Sequence, residues 1–231
     1  MIRVEDGPSI RQITLDEPAT RNALTPALVA DLETAVTEAT QPVVHLTGAD
    51  GVFCAGANFE SVRAAAADAA GEAFIRQGQT LMTAIETASC VVIAGVTGPA
   101  RGGGVELALA CDIRVATPEA TFAETGVALG LFGAWGGTHR LPAMVGLGDA
   151  LDLSLSGRTL DATEARRIGL VQRIVGDPLE TARTIAEKDS GALRAIKTRI
   201  RARDDVETQE AAERERFAEL LAASDMEAFD G

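Results

Sequence analysis

Apolar positions along the chain alternate between strand-like runs and helix-spaced repeats. Ile10 to Leu15 reads as a first strand. Leu28, Leu32 and Val36 then recur at helical spacing, behind Thr25-Pro26, a good N-cap followed by a proline suited to the first helical position. Val43, Val44 and Leu46 mark a second strand within Pro42 to Thr47, followed by a glycine-containing loop from Gly48 to Asn58. Residues Glu72 to Ala88 pattern as a helix and Val91 to Val96 as a buried strand. A loop from Gly98 to Gly104, a short helix from Val105 to Cys111 and a strand from Ile113 to Ala116 come next.

From about Gly136 the pattern is mostly helical. Asp161 and Glu164 form a capping-box-like pair, and Gly169 ends that helix. Leu170 to Val175 reads as a last short strand, and Val206 to Phe229 as a charged amphipathic helix. There is no internal repeat and no low-complexity linker. Strands alternating with helices imply an α/β core, residues 1–190, with a C-terminal helical region, residues 191–231, that packs on the core or on a neighbouring subunit.

Composition narrows the function classes. With 231 residues the chain can bury one sizeable core. No apolar run has the length of a membrane span, and the opening residues Met1 to Asp6 carry no apolar signal region. Cys54, Cys90 and Cys111 are odd in number and lack metal-ligand spacing, so the expectation is a reduced, cytoplasmic protein. The net charge of −13 argues against a nucleic-acid partner but not against a small anionic ligand met by local arginines. Lys188 and Lys197 are the only lysines; an acidic, arginine-rich surface fits either salt adaptation or a coding bias.

The chemistry concentrates where strand 91–96 runs through Gly98 and Gly102-Gly103-Gly104 into a helix. Such a turn presents unpaired backbone N–H groups at a helix N-terminus. It is not a nucleotide P-loop, because Gly104 is followed by Val105 and Glu106 rather than Lys-Ser/Thr, and a carboxylate there repels phosphate. The dinucleotide fingerprint is also absent at this loop, and Gly146-x-Gly148 follows a helical segment rather than a strand. Glu106 sits among Val105, Leu107, Ala108 and Leu109, so it does not read as part of a solvated helix face.

Four segments in register resemble the enoyl-CoA hydratase/isomerase (crotonase) family. They are the strand–glycine–helix segment ending in Leu109-x-Cys111-Asp112-Ile113, the segment His45 to Asn58, the segment Asp16 to Leu24, and Gly136-Gly-Thr-His-Arg-Leu141. The resemblance runs from about Ile10 to Phe229. It implies the β/α spiral core shared by crotonase and ClpP, an acyl-CoA substrate, and a homotrimer or homohexamer. No metal or redox cofactor is implied, since CoA belongs to the substrate.

Carried over by position, the resemblance makes the backbone N–H groups of Ala57 and Gly103 the oxyanion donors and Glu106 the first catalytic glutamate. It places Arg21, Ala23, Ala55, Gly56, Asn58, Gly102, Gly126, Phe132 and Trp135 around the substrate, with Phe132 and Trp135 shortening the acyl pocket. Asp112, His45 and His139 take structural roles. The basic tail with which family members often continue is absent or altered after Phe229.

One departure matters: the position of the family's second glutamate is Gly126. Glu124, two residues earlier, reads as a capping or surface residue, with partial substitution as the alternative. Hydration of a 2-enoyl-CoA or migration of its double bond is the expected reaction. Decarboxylation, thioester hydrolysis and non-catalytic acyl-CoA binding are the alternatives that Gly126 keeps open.

Overall fold

The computed structural model describes residues 1–67 and 69–224. β1 (Ile2–Asp6) and β2 (Ile10–Leu15) pair antiparallel. Thr25 accepts the Leu28 N–H and so opens α1 (Pro26–Thr37), which buries Leu28, Leu32 and Val36 as the spacing requires. β3 (Val43–Gly48) lies parallel to β2, and α2 (Phe59–Ala67) and α3 (Gly71–Thr87) precede β4 (Val91–Val96), whose six residues are all buried. β5 (Pro99–Arg101) leads directly into α4 (Gly103–Ala110), which is buried along its whole length.

β6 (Ile113–Ala116) and β7 (Thr121–Ala123) follow, then a 3-10 turn at Thr125–Leu129. The remaining elements are α5 (Gly137–Val145), α6 (Leu147–Ser156), β8 (Leu160–Asp161), α7 (Ala162–Arg167), β9 (Arg173–Ile174), α8 (Pro178–Ala186), α9 (Ser190–Arg201) and α10 (Val206–Ala223).

The strands form two sheets. The larger has the order β1-β2-β3-β4-β6-β9, parallel except at β1; the smaller has the order β5-β7-β8. Isolated bridges Leu24–Ala57 and Cys54–Ala100 extend the small sheet's pairing into the loop after β3. Each turn of chain thus feeds one strand into the large sheet and one short segment into the smaller layer. The glycine loops lie in that smaller layer.

Several elements differ from expectation. β1 carries Arg3, Glu5 and Asp6 and is mostly exposed, so an edge strand shows no apolar signal. α2, β5 and β7 were not anticipated: the strands are three residues each, and α2 buries none of its side chains. The last strand is shorter than Leu170 to Val175. Only Arg173 and Ile174 pair with β6, while Leu170 and Val171 are buried in the core instead. α10 likewise buries no residue, and the expected end of that helix, from 225 to 229, lies outside the described residues.

α9 is tied to the core by charge. Asp112 accepts from the Val92 N–H at 2.8 Å, from Lys197 Nζ at 2.9 Å and from Arg201 Nε at 2.7 Å. Lys197 also caps the Ile85 and Cys90 carbonyls. His45 is packed beneath Gly95 and Pro178, and burial pushes its imidazole down to about 4, so it is neutral at pH 7.

Candidate active site

The loop after β3 is laced to its neighbours through its backbone. Ala55 N–H donates to Arg21 O, Leu24 N–H to Gly56 O, and Asn58 N–H to Leu24 O. On its other side, Arg101 N–H donates to Cys54 O. These bonds leave the Ala57 N–H with no acceptor among the described residues, and the Gly103 N–H, first in α4, has none either. The two groups are neighbours. A Cβ placed on Gly103 would lie 3.2 Å from Ala57 N, and one on Gly56 would lie 3.2 Å from Gly103 N.

Glycine is required at two of these positions. Gly56 has a φ of +92°, and its missing Cβ would stand 2.5 Å from Arg101 O. Gly102, the N-cap of α4, has a φ of +46°. Its N–H donates to Ala123 O, which fastens the end of β7 to the start of α4.

Glu106 lies one turn into α4 and is 3 % exposed. Its Oε1 accepts the Trp135 N–H at 2.7 Å and the Gly137 N–H at 2.8 Å. Burial pushes its pKa above the ordinary carboxylate value, opposed by those two N–H donors and by the Arg140 guanidinium. Arg140, on α5, donates to Trp135 O and holds Glu86 through Nε and Nη2. The 135–137 turn that grips Glu106 is thus itself braced by a buried arginine.

The expected substrate residues divide by placement. Trp135 is buried: its indole fills the space over Gly78, approaches Gly103 and lies 5.4 Å from the Phe74 ring. It forms a wall beside the paired N–H groups. Phe132 is 71 % exposed, so its ring is not part of the buried wall. Arg21 is exposed with a φ of +56°, and its carbonyl rather than its guanidinium holds the loop. Asn58 uses Oδ1 on the Ser61 N–H and hydroxyl at the start of α2, and Ala23 is buried. Gly126 hydrogen-bonds through its carbonyl to Leu131 N–H, closing the turn after β7.

Glu124 overturns its expected surface role. It is 7 % exposed, it makes no capping bond to the 3-10 turn, and its Oε1 is buried without a hydrogen-bond partner among the described residues. Burial first, and the Glu106 charge second, push its pKa up to about 8. The sequence signal was its place directly after the apolar pair Phe122-Ala123, which the structure makes the end of β7. Arg140 lay within the Gly136–Leu141 segment, but neither it nor Glu86 carried a signal of this pairing, which joins α5 to α3 through side chains far apart in sequence.

The family model for enoyl-CoA hydratase/isomerase matches residues 5–229. The chain belongs to that family. It is 36 % identical over 211 residues to echA8 of Mycobacterium bovis, covering 86 % of this chain and 80 % of that one. It is 35 % identical over 218 residues to the enoyl-CoA isomerase/hydratase claC of Penicillium crustosum, 84 % of this chain but only 25 % of claC's length. Among solved structures, an enoyl-CoA hydratase from Bacillus anthracis superposes with a TM-score of 0.87 at 33 % identity, covering 96 % of this chain and 91 % of that chain. A Thermobifida fusca structure in complex with acetoacetyl-CoA gives a TM-score of 0.86 at 30 % identity, covering 96 % and 95 % of the two chains. The α/β spiral is therefore the crotonase fold. No helix among the described residues is long and apolar enough to cross a membrane.

Proposed function

We propose that this chain acts on an acyl-CoA thioester, hydrating a 2-enoyl-CoA or shifting its double bond through an enolate held at Ala57 and Gly103. One observation carries the reading: two adjacent N–H groups without an acceptor among the described residues, one of them first in α4, with a buried carboxylate one turn further along that helix. As negative charge develops on the thioester oxygen, both N–H groups and the N-terminal end of α4 stabilise it. One such donor is worth about 3 kcal/mol in the transition state. Glu106 handles the proton at the substrate α-carbon, removing it in double-bond migration and delivering it in hydration, with its orientation set by the 135–137 turn.

The CoA moiety enters as part of the substrate, and no separate cofactor is proposed. The protein is proposed to be cytoplasmic and to assemble as a homotrimer or homohexamer. A cleft of about 830 Å³ beneath α9, lined by Leu193, Ile196 and Ile200, and the exposed Phe217 and Leu221 of α10 support burial against another copy.

The test is exchange of solvent deuterium into the α-carbon of butyryl-CoA, beside turnover of a 2-enoyl- and a 3-enoyl-CoA. Exchange that Glu106→Gln abolishes supports the reading; exchange that survives the change removes Glu106 from its role. Tight thioester binding without exchange would leave an acyl-CoA-binding protein instead.

A further inference from the structure

We infer that Glu124 is the second acid–base group of this site, supplying from two residues upstream the carboxyl that Gly126 lacks. The inference rests on the enolate reading above. Gly133 locates the pair. A Cβ built there would stand 3.0 Å from Glu106 Oε1 and 3.3 Å from Glu124 Oε2, so these oxygens are at most 6.3 Å apart beside one glycine. Position 126 itself is tight. A Cβ there would meet Leu131 O at 3.1 Å and Phe132 Cα at 3.4 Å, so a side chain there needs the turn to give by a few tenths of an ångström. Glu124 leaves the end of β7, which the Gly102 N–H fastens to the start of α4, so it reaches Gly133 from a different element than Glu106 does.

The two carboxyls are built differently. Glu106 Oε1 receives two N–H donors, which favour the anion. Glu124 Oε1 receives none, and the void of about 10 Å³ beside it is walled by Val105, Phe122, Leu141, Leu153 and Leu160. That wall offers no polar partner to hold a water. The charged groups that reach the pair are each other and Arg140; α6 and β8 present only leucines to Glu124. Burial without a partner for Oε1, with the Glu106 charge as the smaller cause, keeps the proton on Glu124, while the N–H donors to Glu106 favour its anion.

That arrangement suits double-bond migration. Glu106 carboxylate takes the α-proton of a 3-enoyl-CoA, the electron pair moves onto the thioester oxygen, and the dienolate rests on Ala57 and Gly103 N–H. The electron pair then returns, the double bond moves to C2–C3, and Glu124 gives its proton to the γ-carbon. Glu106 ends protonated and Glu124 ionised; Glu106 gives its proton up to solvent and Glu124 takes one back, which restores the start. Hydration uses this second state: Glu124 takes a proton from water as its oxygen bonds to C3, and Glu106 protonates the α-carbon.

The experiment compares wild type, Glu106→Gln and Glu124→Gln by turnover of 2-enoyl- and 3-enoyl-CoA and by α-exchange of butyryl-CoA in D2O. Glu124→Gln is expected to lower both turnovers by about 10²-fold or more while α-exchange persists; Glu106→Gln loses both. Turnover of Glu124→Gln within about threefold of wild type, with Glu106→Gln inactive, overturns the inference and leaves the enolate reading standing. Equal loss of exchange and turnover in Glu124→Gln, with thioester affinity unchanged, reduces Glu124 to a positioning residue and also overturns it. A wild type that neither exchanges nor turns over defeats both readings together. Should Glu124→Gln not fold, Glu124→Asp takes its place: loss of turnover with α-exchange retained is expected, and turnover within about threefold of wild type overturns the inference.

Discussion

Arg140→Met tests how the turn that grips Glu106 is held. The Arg140 side chain is 7 % exposed and its Glu86 partner 24 %. Nε and Nη2 reach the two carboxylate oxygens at 3.0 and 2.6 Å, and Nη1 reaches Trp135 O at 2.9 Å. Removing one partner of a buried ion pair typically costs about 3–5 kcal/mol. Glu86 keeps Arg201 at 3.1 Å, which holds part of its charge in place, so the lower end applies, about 3 kcal/mol. For a chain of this size that lowers Tm by roughly 6–12 °C. The assay is urea unfolding at neutral pH followed by circular dichroism, run as a double-mutant cycle with Glu86→Gln. A coupling energy of about 2 kcal/mol is expected. The loosened 135–137 turn also lowers kcat about tenfold, because Glu106 loses its fixed orientation. A loss below about 1 kcal/mol, or a cycle that closes additively, would refute the bracing of this turn by Arg140.

Three further outcomes follow from the same geometry. Gly103→Ala puts a Cβ 2.9 Å from the Trp135 ring and 3.2 Å from Ala57 N; kcat should fall about 10²–10³-fold, with a loss of about 1–3 kcal/mol in urea from the contact with the buried indole, and a folded variant that stays active would count against the oxyanion assignment. Gly78→Ala drives a Cβ to 2.2 Å from the buried indole of Trp135, which cannot move aside; a loss of about 1–3 kcal/mol in urea is expected, and a neutral result would deny the tight fit. Glu124→Gln alters pH dependence: the folded pKa of Glu124 is raised to about 8, so folding retains a proton that the unfolded chain releases above its ordinary 4.5. Its stabilisation is complete below 4.5 and lost as pH rises to about 8. The variant should therefore gain on the wild type with rising pH, at up to about 1.4 kcal/mol per pH unit, and a pH-independent difference between the two urea curves would contradict the buried acid.

Local signals carried much of the fold. Thr25-Pro26 opened α1 where capping chemistry required it, and the apolar runs in β3 and β4 became buried parallel strands. Gly102 to Gly104 beside Val105 and Glu106 was enough to expect a helix start with free N–H groups and a carboxylate next to it. These features are legible because each depends on residues within a turn or two of one another. Nothing local marks β5 or β7, which are strands only because the loop after β3 supplies Ala100 with a partner and each pairs with the other. Trp135 and Phe132 looked alike in sequence, yet Gly78 and Gly103 leave room for one indole, and nothing covers the other ring.

Glu124 shows the division most sharply. Its sequence neighbours Thr125 and Gly126 suggest a solvated turn, and propensity alone reads a glutamate there as a cap. Its burial is decided by β7 pairing with β5 and β8, and by α5 and α6 closing over it with Leu141 and Leu153. Its proximity to Glu106 depends on the approach of residue 133 to both. The sequence by itself therefore determined the family, the spiral order of elements and the paired backbone donors, because glycine spacing and apolar periodicity are local properties. Only the tertiary structure decided which carboxyl stands opposite Glu106, because burial and charge proximity are set by contacts between segments far apart in the chain.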